Sequence, residues 1–154
     1  LRKLIEVKQE GRPLVAVGTT SVRTLESLPY IGAHLAAGDE SLHVDQWWAY
    51  EGGSKDIDAI EALSAIVRWL EERGEETLTA STAIMIAPGF EWRMVDVMVT
   101  NFHQPQSTLL LLVSSFLGDD NGRPRWRKLY EEALSLDYRF LSYGDACLLF
   151  KGRG

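Results

Sequence analysis

VDVMVTNFHQPQSTLLLLVSSFLG, residues Val95–Gly118, carries three elements in succession. Val95–Thr100 places valine at every second position, the period of a strand. Asn101-Phe102-His103-Gln104-Pro105-Gln106 is a short polar loop with one proline, and Ser107–Leu117 is a nearly continuous apolar run that reads as a buried helix. A strand that ends in a polar loop and re-enters as a helix is where α/β folds build their sites. The loop lies at the carboxyl end of the strand, and the helix start presents unpaired N–H groups. Ser107 is placed to cap the helix with its hydroxyl, and Pro105 disfavours helix at the residue before it. The plain reading makes Ser107 only a cap and His103 only a hydrogen-bonded loop residue. The functional reading makes His103 an acid or base, because an unperturbed imidazole titrates near neutrality.

Upstream, Leu14–Val17 reads as a short buried strand closed by Gly18. Thr19, Thr20 and Ser21 follow, and Val22–Leu28 continues as a helix. A glycine, three hydroxyl residues and a helix start can converge on an anion or a ribose. Arg23 adds a planar charge able to grip a carboxylate or phosphate through two bonds. A plain N-cap, with Arg23 paired to Glu26 or solvated, fits the same residues, and the lysine of a P-loop is absent. Downstream, Arg125–Leu136 reads as a helix with Trp126, Leu129, Ala133 and Leu136 inward. Arg139–Phe150 begins as a strand, is punctuated by Ser142-Tyr143-Gly144-Asp145, and ends apolar. Gly144 permits an unusual backbone angle or the close approach of a ligand.

The remaining chain supplies the scaffold. Leu1–Glu10 reads as an amphipathic helix stopped by Gly11. Asp56–Gly74 is the clearest amphipathic helix, with Ile57, Ile60, Leu63, Ile66, Val67 and Leu70 as its apolar stripe. Asp39–Gly53 is loop-like and holds Trp47, Trp48 and Tyr50, which can stack on bases or form a packing corner. Leu78–Ile86 and Phe90–Thr100 read as strands around the Pro88-Gly89 turn, as a hairpin or longer antiparallel pair. Strands and helices mixed in this order indicate an α/β fold.

Composition narrows the class. A chain of 154 residues is long enough for one domain with a core. No apolar run is long enough to span a bilayer, and the start shows no signal-peptide pattern. Cys147 is the one cysteine, which rules out an internal disulfide framework and suits a reducing compartment; it reads as a small core residue. His34, His43 and His103 lack partners at metal-ligand spacing, so no metal is expected. The formal net charge of −6 is a poor footprint for nucleic-acid binding. The basic residues cluster locally at Arg123, Arg125, Arg127 and Lys128, then at Lys151 and Arg153.

Thr100–Phe116, TNFHQPQSTLLLLVSSF, resembles the signature of the S-adenosylmethionine:tRNA ribosyltransferase-isomerase family of queuosine biosynthesis. Val17–Ser27 (VGTTSVRTLES) and Tyr138–Leu149 (YRFLSYGDACLL) resemble the same family in the same order, and the WRKLYEEAL lead-in from Trp126 strengthens the likeness. It covers nearly all of the chain except roughly Gly32–Leu78, which looks like a lineage-specific surface region. The resemblance implies that residues 1–154 are the C-terminal portion of one barrel-like α/β catalytic domain. The N-terminal portion and an inserted β-rich domain would lie outside this chain. Such a piece would expose sheet edges and apolar surface and would be inactive alone.

The implied reaction is cytoplasmic and uses S-adenosylmethionine as a ribosyl donor, without a metal. The ribosyl part is transferred and isomerised onto 7-aminomethyl-7-deazaguanine in tRNA; adenine and methionine leave, and epoxyqueuosine-tRNA forms. On this resemblance His103 is the acid or base, and Asn101 holds ribose hydroxyls or an adenine edge. Asp145 orients the substrate amine or acts as base. Thr19, Thr20, Ser21 and Arg23 bind the ribose or the methionine carboxylate, Tyr143 stacks, and Ser107 and Gly144 complete the substrate site. Two other classes compete. An α/β phosphosugar- or nucleotide-binding enzyme would use the Gly18–Arg23 loop as its phosphate site. A non-catalytic RNA-binding module would use the tryptophans and the Arg123–Lys128 cluster. Three ordered motifs favour the first reading over both.

Overall fold

The computed structural model describes residues 1–51, 57–120 and 123–152. They form α1 (Arg2–Gln9), β1 (Val15–Val17), α2 (Thr19–Ala36), β2 (His43–Val44), α3 (Ala59–Arg73), β3 (Ser81–Thr82) and β4 (Val97–Asn101). These are followed by α4 (Thr108–Leu117), β5 (Asp119–Asp120), β6 (Arg123–Pro124), α5 (Arg125–Ser135) and β7 (Ala146–Phe150). The mixed α/β expectation therefore holds. Among the described residues no helix is long and apolar enough to cross a membrane. The chain divides into two compact units: Leu1–Leu14 with Arg23–Met85, and Val15–Val22 with Ile86–Gly154.

The first unit is mainly helical. α1 packs on α3. The Asp58 carboxylate caps α3 by accepting from Ile60 N–H at 3.3 Å, and Gly74 ends it in the left-handed conformation at φ +66°. Asp56, the expected start of this helix, lies outside the described residues. The buried face of α3 keeps Leu63, Ile66 and Leu70 of the expected stripe and adds Ala59, Ala62 and Ala65, while Ile57, Ile60 and Val67 are only half-buried. The small residues turn inward because a helix passes very close. A Cβ built on Gly32 of α2 would stand 2.2 Å from the backbone oxygen of Ala62. α2 runs through Pro29 without stopping, although the ring removes one backbone donor. Gly32 and Ile66 are buried, so Gly32–Leu78 contains core and is not a surface region.

Trp48 stands 3.6 Å from the His34 ring, centroid to centroid, and the Tyr50 hydroxyl donates to the Met85 carbonyl at 3.2 Å. The aromatic cluster thus forms a packing corner, with Trp47 left half exposed. Leu78–Ile86 supplies only β3, which pairs in parallel with β2. The expected hairpin with the following strand does not form. Phe90–Asp96 is irregular, and regular strand begins only at Val97.

The second unit carries a three-stranded sheet in the order β1-β4-β7. β1 runs parallel to β4, with Val17 opposite Val99, and β7 runs antiparallel, with Ala146 opposite Asn101. α4 packs on β7 and on α5. The sheet is buried on one face, through Ala16, Met98, Thr100, Cys147 and Leu149. Val15, Val17, Leu148 and Phe150 point the other way and are 52%, 67%, 56% and 63% exposed. β1 is therefore not the buried strand that its apolar run suggested; period-2 geometry sends its two valines outward. In α5 the inward residues are Tyr130 and Ala133, while Leu136, expected inside, lies past the helix end and is 61% exposed.

Candidate functional site

The three motifs, far apart in sequence, meet at one end of this sheet. Because β1 and β4 are parallel, their carboxyl ends lie side by side, and they open into Gly18–Ser21 and Asn101–His103. β7 runs the opposite way, so Gly144 and Asp145 enter at that same end, beside Asn101. Gly18 continues the ladder by donating its N–H to the Val99 carbonyl at 2.8 Å. It then takes φ +85° and starts α2, its own carbonyl accepting from Val22 N–H at 3.1 Å. Thr19, Thr20 and Ser21 are consequently the first turn of α2, where backbone N–H groups have no partner within the helix. Thr20 and Ser21 are exposed. Arg23 belongs to the first unit, and its Nε donates to the Ile84 carbonyl at 3.1 Å.

Asn101 and Asp145 are joined, though not through the Asp145 carboxylate. Asn101 Nδ2 donates to the Asp145 backbone carbonyl at 3.1 Å. The carboxylate accepts from the Arg139 backbone N–H and, at 3.4 Å, from Arg139 Nε. Gly144 adopts φ +121°, the first of the two uses, an unusual backbone angle or the close approach of a ligand, that its sequence left open. Tyr143 ends the 3-10 turn Leu141–Tyr143, and its side chain lies outside the described part. Of the basic residues, Lys151 lies 3.8 Å from Asp96, and Arg153 is outside the described residues.

His103 sits deeper. It is 8% exposed, and its Nε2 lies 3.0 Å from Oγ1 of Thr100, itself 5% exposed. Its backbone N–H donates to the Tyr130 hydroxyl at 3.0 Å. The loop is clamped one residue earlier by Phe102, which stacks on Phe140 at 5.3 Å between centroids and meets Tyr130 edge-on at 5.3 Å. The Phe102 carbonyl accepts from Leu141 N–H at 2.8 Å. Successive strand residues face opposite ways, so Asn101 and the Thr100 that holds His103 lie on different faces of the sheet. Ser107 caps α4 as its sequence suggested, accepting from Leu109 N–H at 3.2 Å.

Beside His103 opens a cavity of about 560 Å³ bounded by the loop, the start of α4, α5 and Phe140. Ser107, Leu110, Trp126 and Tyr130 line it with His103. This is the size and mostly apolar character of a small-molecule pocket with few polar groups. Gln106 holds φ +64° and Leu141 holds φ +64°, both unusual for residues with a side chain, and both at loops bordering this region. Asn101, Asp145 and Gly144 do not line it.

Burial pushes the His103 imidazole below its ordinary value, with no charged neighbour contributing. Burial likewise raises the Tyr130 hydroxyl and the Cys147 thiol, whose Sγ donates to the Thr100 carbonyl at 3.2 Å. Cys147 is thus an inert core residue. The lowered imidazole has a consequence for stability. Unfolded, His103 takes up a proton near pH 6.5, whereas folded it does so only at lower pH. Its contribution is present above about pH 6.5 and is lost as pH falls through the interval between the two values. Urea midpoints measured from about pH 7.5 down to 5.5 should therefore decline, and the decline should shrink in His103→Asn. Equal slopes in the two proteins would mean that the ring is not buried as described.

Thr100, Tyr130, Phe102 and Phe140 were not singled out from the sequence. Thr100 reads as strand and Tyr130 as one residue of a helix; nothing local marks them as His103's partners. Among the described residues no cluster of three metal-ligating side chains occurs.

The profile of the family described as queuosine biosynthesis protein matches residues 1–149. The chain belongs to this family. The match runs through Gly32–Leu78 as well as the three motifs. Among curated relatives, the S-adenosylmethionine:tRNA ribosyltransferase-isomerase of Afipia carboxidovorans is 37% identical over 99% of this chain and 30% of its own length. The enzyme of the same name from Thermosipho melanesiensis is 36% identical over 97% of this chain and 31% of its own. The crystal structure of S-adenosylmethionine tRNA ribosyltransferase from Thermotoga maritima superposes with a TM-score of 0.56 at 33% identity, over 96% of this chain and 36% of that one. The chain thus spans about 30% of the length of the curated relatives it matches.

Proposed function

We propose that this chain is part of an S-adenosylmethionine:tRNA ribosyltransferase-isomerase, and that the sheet end where its three motifs meet is that enzyme's active site. The observation that carries the reading is this convergence: Gly18–Ser21, Asn101–His103 and Gly144–Asp145 share one end of the β1-β4-β7 sheet. The relatives' shared name supplies the reaction class, ribosyl transfer and isomerisation between S-adenosylmethionine and tRNA, and the resemblance of the three motifs implies its details. The ribosyl part of S-adenosylmethionine passes to 7-aminomethyl-7-deazaguanine in tRNA and is isomerised; adenine and methionine leave. In this reading the chain is the C-terminal portion of a barrel-like α/β catalytic domain, working in the cytoplasm without a metal.

The first turn of α2, with Thr19, Thr20 and Ser21, offers hydroxyls and N–H groups to the ribose or the methionine carboxylate. Arg23 adds charge for the carboxylate through the guanidinium nitrogens other than Nε. Asn101 holds a ribose hydroxyl or a base edge, and Asp145, oriented by Arg139, holds the attacking amine. Tyr143 stacks, Gly144 lets substrate come close to the backbone, and Ser107 shapes the cavity mouth beside His103. The test is adenine release from S-adenosylmethionine by a full-length family enzyme carrying this chain as its matching stretch. Release that requires tRNA bearing the aminomethyl-deazaguanine is the expected result. A folded protein that releases no adenine with that tRNA would reject the reading and bring forward a phosphate site at Gly18–Arg23.

A further inference from the structure

Thr100 and His103 form a buried polar pair whose hydrogens can be placed from the atoms around them. The hydroxyl of Thr100 carries one donor and two acceptor positions, and its one side-chain partner among the described residues is His103 Nε2 at 3.0 Å. If Nε2 carried the proton, it would donate to the hydroxyl, and the threonine O–H would be buried without an acceptor. If the hydroxyl donates to Nε2 instead, the hydroxyl leaves only a lone pair unused, and the donor without a protein partner becomes Nδ1–H. A buried donor without a partner loses its full hydration, whereas an unused lone pair costs much less. The second arrangement puts the imidazole proton on Nδ1.

Nδ1 has no hydrogen-bond partner among the described residues. The one enclosed side-chain nitrogen or oxygen without a partner among them is Trp69 Nε1. His103 lines the cavity and Thr100 does not, so a donor left over on Nδ1 can meet water or a ligand there, whereas one left over on the hydroxyl cannot. We propose that Thr100 is a positioning residue that fixes His103 as the neutral imidazole with its proton on Nδ1, so that the cavity meets a hydrogen-bond donor and not a base. The depressed imidazole agrees with this, since a ring that stays neutral keeps Nε2 as an acceptor. Arg127 and Glu131, which also line the cavity, are exposed and leave burial as the one cause.

A neutral imidazole that donates through a fixed N–H acts as an electrophile and does not transfer its proton. Its natural partner is an acceptor atom that gains negative charge. In the reaction proposed above, on which this last step alone rests, that atom is a ring nitrogen of the departing adenine. Tyr130 supports the same geometry from the backbone side by accepting the His103 N–H.

The test is nitrogen-15 NMR of histidine-labelled chain near neutral pH. The expected spectrum shows His103 Nδ1 protonated and Nε2 unprotonated, with a slowly exchanging Thr100 hydroxyl proton coupled to Nε2. Thr100→Ser keeps that coupling. Thr100→Val loses it and moves the Nε2 resonance toward that of a nitrogen accepting no hydrogen bond. A proton on Nε2 in the unaltered chain overturns the proposal, and so does an Nε2 resonance unmoved in Thr100→Val. If Thr100→Val does not fold, the unaltered chain and Thr100→Ser still decide the matter. None of these readouts depends on adenine release, so the failure of the enzyme reading would be seen separately.

Discussion

Gly32→Ala should destabilise the first unit by about 3 kcal/mol, a drop of roughly 6–12 °C in Tm for a chain of this size. The cause is a backbone collision. A Cβ at position 32 would stand 2.2 Å from the Ala62 oxygen, 2.5 Å from its carbonyl carbon and 2.7 Å from its Cα. No side-chain rotation relieves contacts with backbone atoms, so α2 and α3 have to part at the crossing. Alanine is the better helix former, by nearly 1 kcal/mol, so local propensity pushes the other way and the collision must outweigh it. Gly11→Ala is the control. It has nothing within 4 Å and suffers only the left-handed penalty at φ +64°, about 1–2 kcal/mol. Thermal unfolding followed by circular dichroism compares the two. A loss for Gly32→Ala no greater than for Gly11→Ala would mean that the helices separate without cost.

That glycine also marks where sequence reading stops. A strand, a capped helix and a loop between them could be read in Val95–Gly118 because each signal is local: alternation, a serine before an apolar run, a proline in between. The cap at Ser107 and the angle at Gly144 follow from the same kind of reasoning. Gly32 carries no such signal, since its partner is a backbone atom thirty positions away on another helix. For the same reason the α3 stripe is legible only in part. Aliphatic periodicity finds Leu63, Ile66 and Leu70 but adds the half-buried Ile60 and Val67, and it misses Ala62, which the close approach of Gly32 turns inward. The hairpin around Pro88-Gly89 failed because β3 found β2, a pairing no turn motif announces. At the site, the convergence of three motifs required knowing that β1 and β4 are parallel neighbours. Thr100, in sequence only the last residue of an alternating strand, gives no sign that it holds the histidine three positions on.

His103→Ala, in a full-length family enzyme carrying this chain, should lower kcat for adenine release by about 10²–10³-fold, the usual effect of removing one fixed donor from a charge-stabilising site. KM for S-adenosylmethionine should change little, because a donor aimed at charge that develops during bond breaking contributes mainly in the transition state. Two further substitutions separate donor from base. His103→Asn places an amide N–H near the position of Nδ1 and should recover part of the lost rate, though an amide cannot act as a base. His103→Gln reaches toward the Thr100 hydroxyl, fills the Nε2 position, and should recover little. The pH profile carries the same distinction. A donor on Nδ1 is present in both the neutral and the protonated ring, so loss of rate on acidification should not trace the His103 titration. If the asparagine variant were as slow as the alanine one, and the unaltered enzyme lost activity with the protonation of His103, the histidine would be a base. The hydrogen bond from Thr100 would then serve only to hold the loop.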